Sequence, residues 1–336
     1  MNEEEKIQNI FDEARNIKLK VEEKSAIRMQ LRAFIDQSIK QKENSSVFVL
    51  SRFNFMFRPV PMTIILLALI TGGLTAAADS SLPNEKLYSL KTGVNEKVLG
   101  WFAVSHESKA EYETGLVRKR LQEAEIMAIR NDLDEKTITK IEDDIEKHTQ
   151  NADMNIKELK TQDKLKAIEK SSELESSLSA HGKILKNMAK SNNSAVRISD
   201  SVETKTENTN RNRAKNEKEV TQQNSSEIEF AAQGKLTAAE NKISEINSYI
   251  KKMESRYGSE AVSEAKTQLE DANNILALGK AKLIAKSYGE AFILFQQAQS
   301  RAQEVKIILK TNRELNLEVE KNKRSSREEK ENERED

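Results

Sequence analysis

Nineteen consecutive uncharged residues, Val60 to Ala78 (VPMTIILLALITGGLTAAA), interrupt a chain that is otherwise one-third charged. At the helical rise such a run spans about 28 Å, close to the thickness of bilayer hydrocarbon. Nothing else in the sequence is apolar enough to bury it as a core helix. All three prolines (Pro59, Pro61, Pro83) lie in or beside it, and proline is tolerated in a first helical turn because that amide has no partner. The sequence therefore predicts a transmembrane anchor over residues 59–78. The run stands too far from the N-terminus for an ordinary signal peptide. Ala76-Ala77-Ala78 before Asp79 still resembles a small-residue cleavage site, so cleavage between Ala78 and Asp79 is the alternative to an uncleaved anchor.

Flanking cations set the expected orientation. Lys40, Lys42, Arg52 and Arg58 precede the run within twenty residues, against Lys86, Lys91 and Lys97 after it. The bias places the N-terminus in the cytoplasm and the C-terminal part outside. Ala68, Gly72 and Ala76 recur every four residues, giving the anchor one small face of the kind that lets membrane helices approach closely. A homodimer through that face is one expectation. Residues 1–58 read as a cytoplasmic arm of two amphipathic helices. One apolar stripe runs through Ile7, Ile10, Phe11, Ala14 and Ile17, the other through Ala26, Ile27, Leu31, Phe34, Ile35 and Ile39. They can pack as a hairpin or grip a protein partner.

Composition narrows the rest. The chain has no cysteine, which removes disulfides, thiolate metal sites and cysteine nucleophiles. Its 55 Lys+Arg balance 55 Asp+Glu, so it lacks the positive surface of a general nucleic-acid binder. Ten glycines and three prolines in 336 residues are too few for barrels, sandwiches or nucleotide loops. An all-α fold remains: a single transmembrane helix followed by extracytoplasmic antiparallel helical bundle or coiled-coil units.

The outside chain divides into a helical domain over 79–190, a flexible polar linker or thinly packed helix over 191–226, a three-helix unit over 227–312 and a charged tail over 313–336. In the first domain, Pro83 stiffens the exit from the anchor. Tyr88, Trp101 and Phe102 are the candidate packing nucleus, Trp101 being the only tryptophan; contact with a ligand or the membrane surface is the other reading. The pattern predicts one helix from Asn95 to about Arg130, then a break with Asp134 as N-cap. A stripe follows at Ile138, Ile141, Ile145, His148, Ala152, Ile156 and Leu159, and another at Leu174, Leu178, His181, Leu185 and Met188. Such stripes bury one face each and call for antiparallel packing. His148 and His181 sit on them, but no third ligand joins them at metal spacing.

Pro83, Leu87, Tyr88, Leu90 and Lys91, then Arg118, Arg120, Leu121, Glu123 and Ala124, resemble the exported bacterial domain-of-unknown-function family numbered 5667. The resemblance covers about residues 76–190. Asn84-Glu85 departs from it, standing where the family usually has Gly-Asp. It implies an extracytoplasmic helical domain behind a membrane segment and implies no activity.

Residues 191–226 are rich in Asn, Ser, Thr and charge and thin in apolar side chains, which argues against burial. The unit after them carries Ile228, Phe230, Leu236, Ala239, Ile243, Ile246 and Ile250, then Val262, Ala265, Leu269, Ala272, Leu276 and Leu283, then Ala291 to Leu309. Breaks are expected at Tyr257-Gly258-Ser259 and Ser287-Tyr288-Gly289-Glu290. Gly279, Tyr288, Gly289, Ala291 and Ala298 look like a tetratricopeptide-type helix pair, without a second copy at that repeat's period. The tail holds 7 Lys/Arg and 9 Asp/Glu and should extend the last helix.

No nucleophile elbow, phosphate loop, metalloprotease motif or dinucleotide fingerprint is present. Acidic pairs such as Asp143 and Asp144 read as a solvated face. The expectation is a non-enzyme without catalytic, cofactor or metal residues, embedded in the lipid bilayer and contacting an unknown protein partner but no nucleic acid. A structural or interaction role in the cell envelope is the first reading. The alternative is a transmembrane signalling regulator of anti-sigma-like layout, with an inside partner-binding arm and an outside sensor.

Overall fold

A computed structural model describes residues 78–190 and 192–335, with side chains through Arg324. The arm over 1–58, the anchor short of Ala78 and its small face (Ala68, Gly72, Ala76) lie outside the described residues. Among the described residues all regular structure is helical, and no helix is long and apolar enough to cross a membrane.

Two short helices come first, α1 (Tyr88–Leu90) and α2 (Glu96–Gly100), joined by a π-helical turn over Lys91–Asn95. Seven long helices follow: α3 (His106–Arg130), α4 (Glu135–Gln162), α5 (Lys164–Ala189), α6 (Ser194–Thr221), α7 (Ser226–Tyr257), α8 (Ser263–Ile284) and α9 (Tyr288–Glu335). Local chemistry sets their ends. Ser105 and Ser108 form a reciprocal capping box at the start of α3. The Asp134 carboxylate accepts from the Thr137 amide at 2.7 Å, as its position predicts, and Asp163 accepts from Lys166 at 3.0 Å. Each such cap contributes about 1 kcal/mol. Asn131 (φ 56°) and Gly258 (φ 89°) turn the chain out of α3 and α7 through left-handed backbone, a conformation that Asn and Gly tolerate best.

Two apolar cores result. The first gathers Leu121, Ala124 and Met127 of α3, Ile141 and Ile145 of α4, Leu174, Leu178 and Leu185 of α5, and Ile198 and Val202 of α6. The second gathers Ile243, Ile246 and Ile250 of α7, Leu269 and Ala272 of α8, and Phe292, Phe295 and Ala298 of α9. Ile168 of α5 and Val220 of α6 belong to the second core, so these two helices thread both. Burying each Ile or Leu contributes about 1.5–3 kcal/mol. Helix α9 packs on α5, α7 and α8. The antiparallel helical bundle expected from the stripes is thus present.

The structure corrects four expectations. The helix expected from Asn95 to Arg130 is interrupted at residues 101–105, where Ser105 turns extended (ψ 160°) to cap α3. Of the two readings for 191–226, a flexible linker gives way to a helix, the 28-residue α6. Of its few apolar side chains, Ala195, Ile198, Val202 and Val220 are buried, while Val196 is exposed. Its polar surface is laced to neighbours, with Arg197 on Glu142 at 2.6 Å and Arg213 on Glu175. Phe230 is exposed on α7. Trp101 and Phe102 are not packed at all, with 76 % and 77 % of their surface in solvent.

Candidate functional site

The segment following Ala78 is fastened to α3 by buried charge. Ala78 is fully buried, and Ser81 Oγ donates to its carbonyl at 2.6 Å. Lys119 holds the exposed Asp79 at 2.7 Å. Tyr88, 1 % exposed, donates from its hydroxyl to Glu123 Oε2 at 3.0 Å. Lys91 Nζ meets Glu123 Oε1 at 2.6 Å and donates to the Ser81 carbonyl at 3.1 Å. Arg120, with no exposed surface, bridges Glu96, the Tyr88 hydroxyl and Glu123. Two cations face two carboxylates, so the cluster is neutral as a whole. Burial pushes the Glu123 carboxyl up, with Arg120 and Lys91 pulling it back. Burial also pushes the Tyr88 phenol up, and the Glu123 charge adds to it. Lys140 of α4 lies 4.2 Å from the Tyr88 ring centroid, a cation–π contact that ties the second long helix in.

This clamp turns the segment inside out. Lys91 and Glu96 point into the protein, while Val94, Val98, Leu99, Trp101, Phe102 and Val104 point away from it. Below the ridge the fit is tight. A Cβ at Gly100 would lie 3.1 Å from the Tyr112 ring, and the Tyr112 hydroxyl donates to the Glu96 carbonyl. Of the three expected nucleus residues, the structure places Tyr88 at the centre of the clamp and leaves Trp101 and Phe102 on the outer face. Hydrophobicity alone misled there. The missed signal was the spacing of Lys91, Glu96, Arg120 and Glu123, charges that two adjacent helical segments present to one another.

The two histidines do not meet. His148 Nδ1 lies 2.6 Å from Glu113 Oε2, and His181 Nδ1 lies 2.8 Å from Glu125 Oε1. Both glutamates belong to α3, about 18 Å apart along its axis at the helical rise. No cluster of three or more metal-ligating side chains occurs among the described residues.

A cleft of about 280 Å³ opens between α3, α5, α7 and α9, lined among others by Arg118, Glu173, Ser176, Lys235 and Gln296. Two of its serines donate to their own helix, Ser176 to the Ser172 carbonyl at 2.7 Å and Ser177 to that of Glu173 at 3.0 Å, while Ser300 of α9 donates across to the Ser172 carbonyl at 3.5 Å. No imidazole lines the cleft; its carboxylates are Glu111, Glu169 and Glu173, and burial pushes the Glu173 carboxyl up. Burial holds the Arg118 guanidinium below its usual range, opposed by Glu173 and Glu111.

Residues 80–181 match the family model of a domain of unknown function (DUF5667). The matched segment contains Tyr88, Lys91, Glu96, Arg120 and Glu123, together with Glu125 and His181. No curated protein and no solved structure matches the chain.

Proposed function

We propose that this chain is a membrane-anchored, non-enzymatic helical protein of the cell envelope, with a cytoplasmic N-terminal arm and a helical body outside that serves a structural or protein-interaction role. One observation carries the proposal. The backbone that leaves the apolar run at Ala78 is locked at once into the body through Ser81, Asp79 and the Tyr88–Arg120–Glu123 clamp. A tether that merely displayed the body would need no such fastening. A joint fastened in this way supports a structural or interaction role for the body. The same joint supports the signalling alternative, in which a partner bound outside is felt by the arm inside.

Topology is the deciding measurement. The chain has no native cysteine, so single cysteines at Ser45, Ser80 and Ser325 report cleanly. Labelling of intact cells with an impermeant thiol reagent should mark Ser80→Cys and Ser325→Cys, not Ser45→Cys, with the protein in the membrane fraction. Label at Ser45→Cys alone, or equal labelling of a soluble protein, overturns the reading. Capture of one specific cytoplasmic protein by the arm would favour signalling over structure.

A further inference from the structure

We infer that the ridge formed by Val94, Val98, Leu99, Trp101, Phe102 and Val104 is a bilayer-docking surface that seats the helical body on the lipid headgroups beside its own anchor. The inference rests on the anchored reading above and adds a second, separable membrane contact.

The ridge is an inverted surface. In α1, the π-turn and α2 the charged residues Lys91 and Glu96 are buried at 3 % and 5 % exposure. Apart from Tyr88 and Leu90, the apolar residues face out, Val94, Val98 and Leu99 here and Trp101, Phe102 and Val104 just after, up to 81 % exposed at Val104. A segment facing only water would have the opposite arrangement, and a contiguous exposed apolar patch marks a protein or membrane contact. The inversion is also held in place. Arg120 neutralises Glu96 from inside, and Tyr112 supports the ridge from below. The apolar side chains therefore have no route back into the core.

Three observations favour a lipid surface over a protein as the occupant. First, the uncharged run ends at Ala78, and the ridge begins sixteen residues later. Asp79 is held at Lys119 and the foot of the ridge at Tyr112, seven residues apart on α3, which is about 10 Å at the helical rise. A bilayer that holds the end of the run is within reach of the ridge. Second, the tip is a Trp-Phe pair on a short amphipathic element, the side-chain type that settles at the headgroup level. Third, Lys97 within the segment and Lys86 and Lys109 on either side of it in sequence are exposed, available to anionic headgroups.

Trp101 is the sole tryptophan and so a built-in reporter. The full chain would be reconstituted into vesicles of equal parts phosphatidylglycerol and phosphatidylethanolamine, with or without acyl chains brominated near the headgroup. Flotation on a density gradient reports the anchor, and Trp101 emission reports the ridge. Docking predicts a roughly twofold loss of emission with brominated lipid, and poor quenching by aqueous acrylamide. The double variant F102E/V104E should still float, yet lose the lipid quenching and gain acrylamide quenching. A floating wild type whose Trp101 is quenched by acrylamide but not by bromine overturns the docking and leaves the anchor intact. Shielding from both quenchers also overturns it, because a protein surface then covers the ridge. Failure to float overturns the anchor, and the docking with it.

Discussion

His181 Nδ1 lies 2.8 Å from Glu125 Oε1, and neither side chain has any exposed surface. The partner atoms, His181 Nε2 and Glu125 Oε2, make no hydrogen bond of their own. Burial pushes the Glu125 carboxyl above its usual range; His181 pulls it back, and Glu314 of α9 pushes it further up. The native state thus holds that proton more tightly than the unfolded chain does. The contribution of Glu125 favours folding below the ordinary carboxylate range and is lost as pH rises through the raised value. Glu125→Gln keeps a hydrogen-bonding group without the charge, and should lose less stability than wild type between mildly acidic and mildly alkaline pH. His181→Ala leaves the carboxyl buried alone and should cost about 3 kcal/mol. Urea midpoints followed by circular dichroism at several pH values check both.

Asp153 of α4 gives a second pH test. Burial, reinforced by the Glu146 charge, pushes its carboxyl up to about 6. Stability from this group is complete below the ordinary Asp range and disappears as pH rises through about 6. Asp153→Asn should match wild type in acid and exceed it by about 1 kcal/mol at mildly alkaline pH, after allowance for partial solvent screening. A variant no more stable than wild type above that range would refute the assignment.

The clamp predicts unequal losses. Arg120→Met strips Glu96 and Glu123 of their shared guanidinium and should cost about 3–5 kcal/mol. Tyr88→Phe removes one hydroxyl from the same cluster and should cost about 1 kcal/mol. Limited proteolysis would show whether the loss is local. In the arginine variant, cleavage between Ala78 and Ser105 should precede cleavage within the long helices.

Two glycines should answer to alanine with opposite signs. At Gly279 of α8 a Cβ would stand 2.6 Å from the Phe295 ring of α9, so Gly279→Ala should force the pair apart and cost about 1–3 kcal/mol. At Gly115 of α3 a Cβ meets nothing within 4 Å, so Gly115→Ala should stabilise the helix by about 1 kcal/mol. Thermal midpoints measured side by side would separate the two effects.

The sequence displayed the helices better than their surroundings. Ile138, Ile141, Ile145, Ala152, Ile156 and Leu159 are all buried, because a one-faced stripe has a single way to leave water. The breaks near Asp134, Gly258 and Ser287 occur close to where their turn residues announce them. Helix α6 was legible only as one of two readings, because part of its stability is supplied from outside. Glu142 and Glu175, from two other helices, satisfy its arginines, and no local pattern encodes partners that far away in sequence. Trp101 and Phe102 failed for a different reason. The rule that aromatics go inside presumes water outside, and these side chains sit on a face whose interior is occupied by charges. The pairing of His148 and His181 with glutamates of α3 was equally illegible, since it depends on which helices become neighbours.

Arg130 closes α3 by reaching two places. It lies 3.7 Å from Glu85, in the stretch just after Ala78, and it also pairs with Glu318, deep into the 48-residue α9. The chain therefore enters and leaves its helical body at neighbouring points. A pull on the departing helix would not stretch the bundle from end to end like a rope. It would open the two strands of travel at one corner, like a zipper, with the contacts yielding one after another. Such a pull would reach the Glu85–Arg130–Glu318 contact before it reached either apolar core.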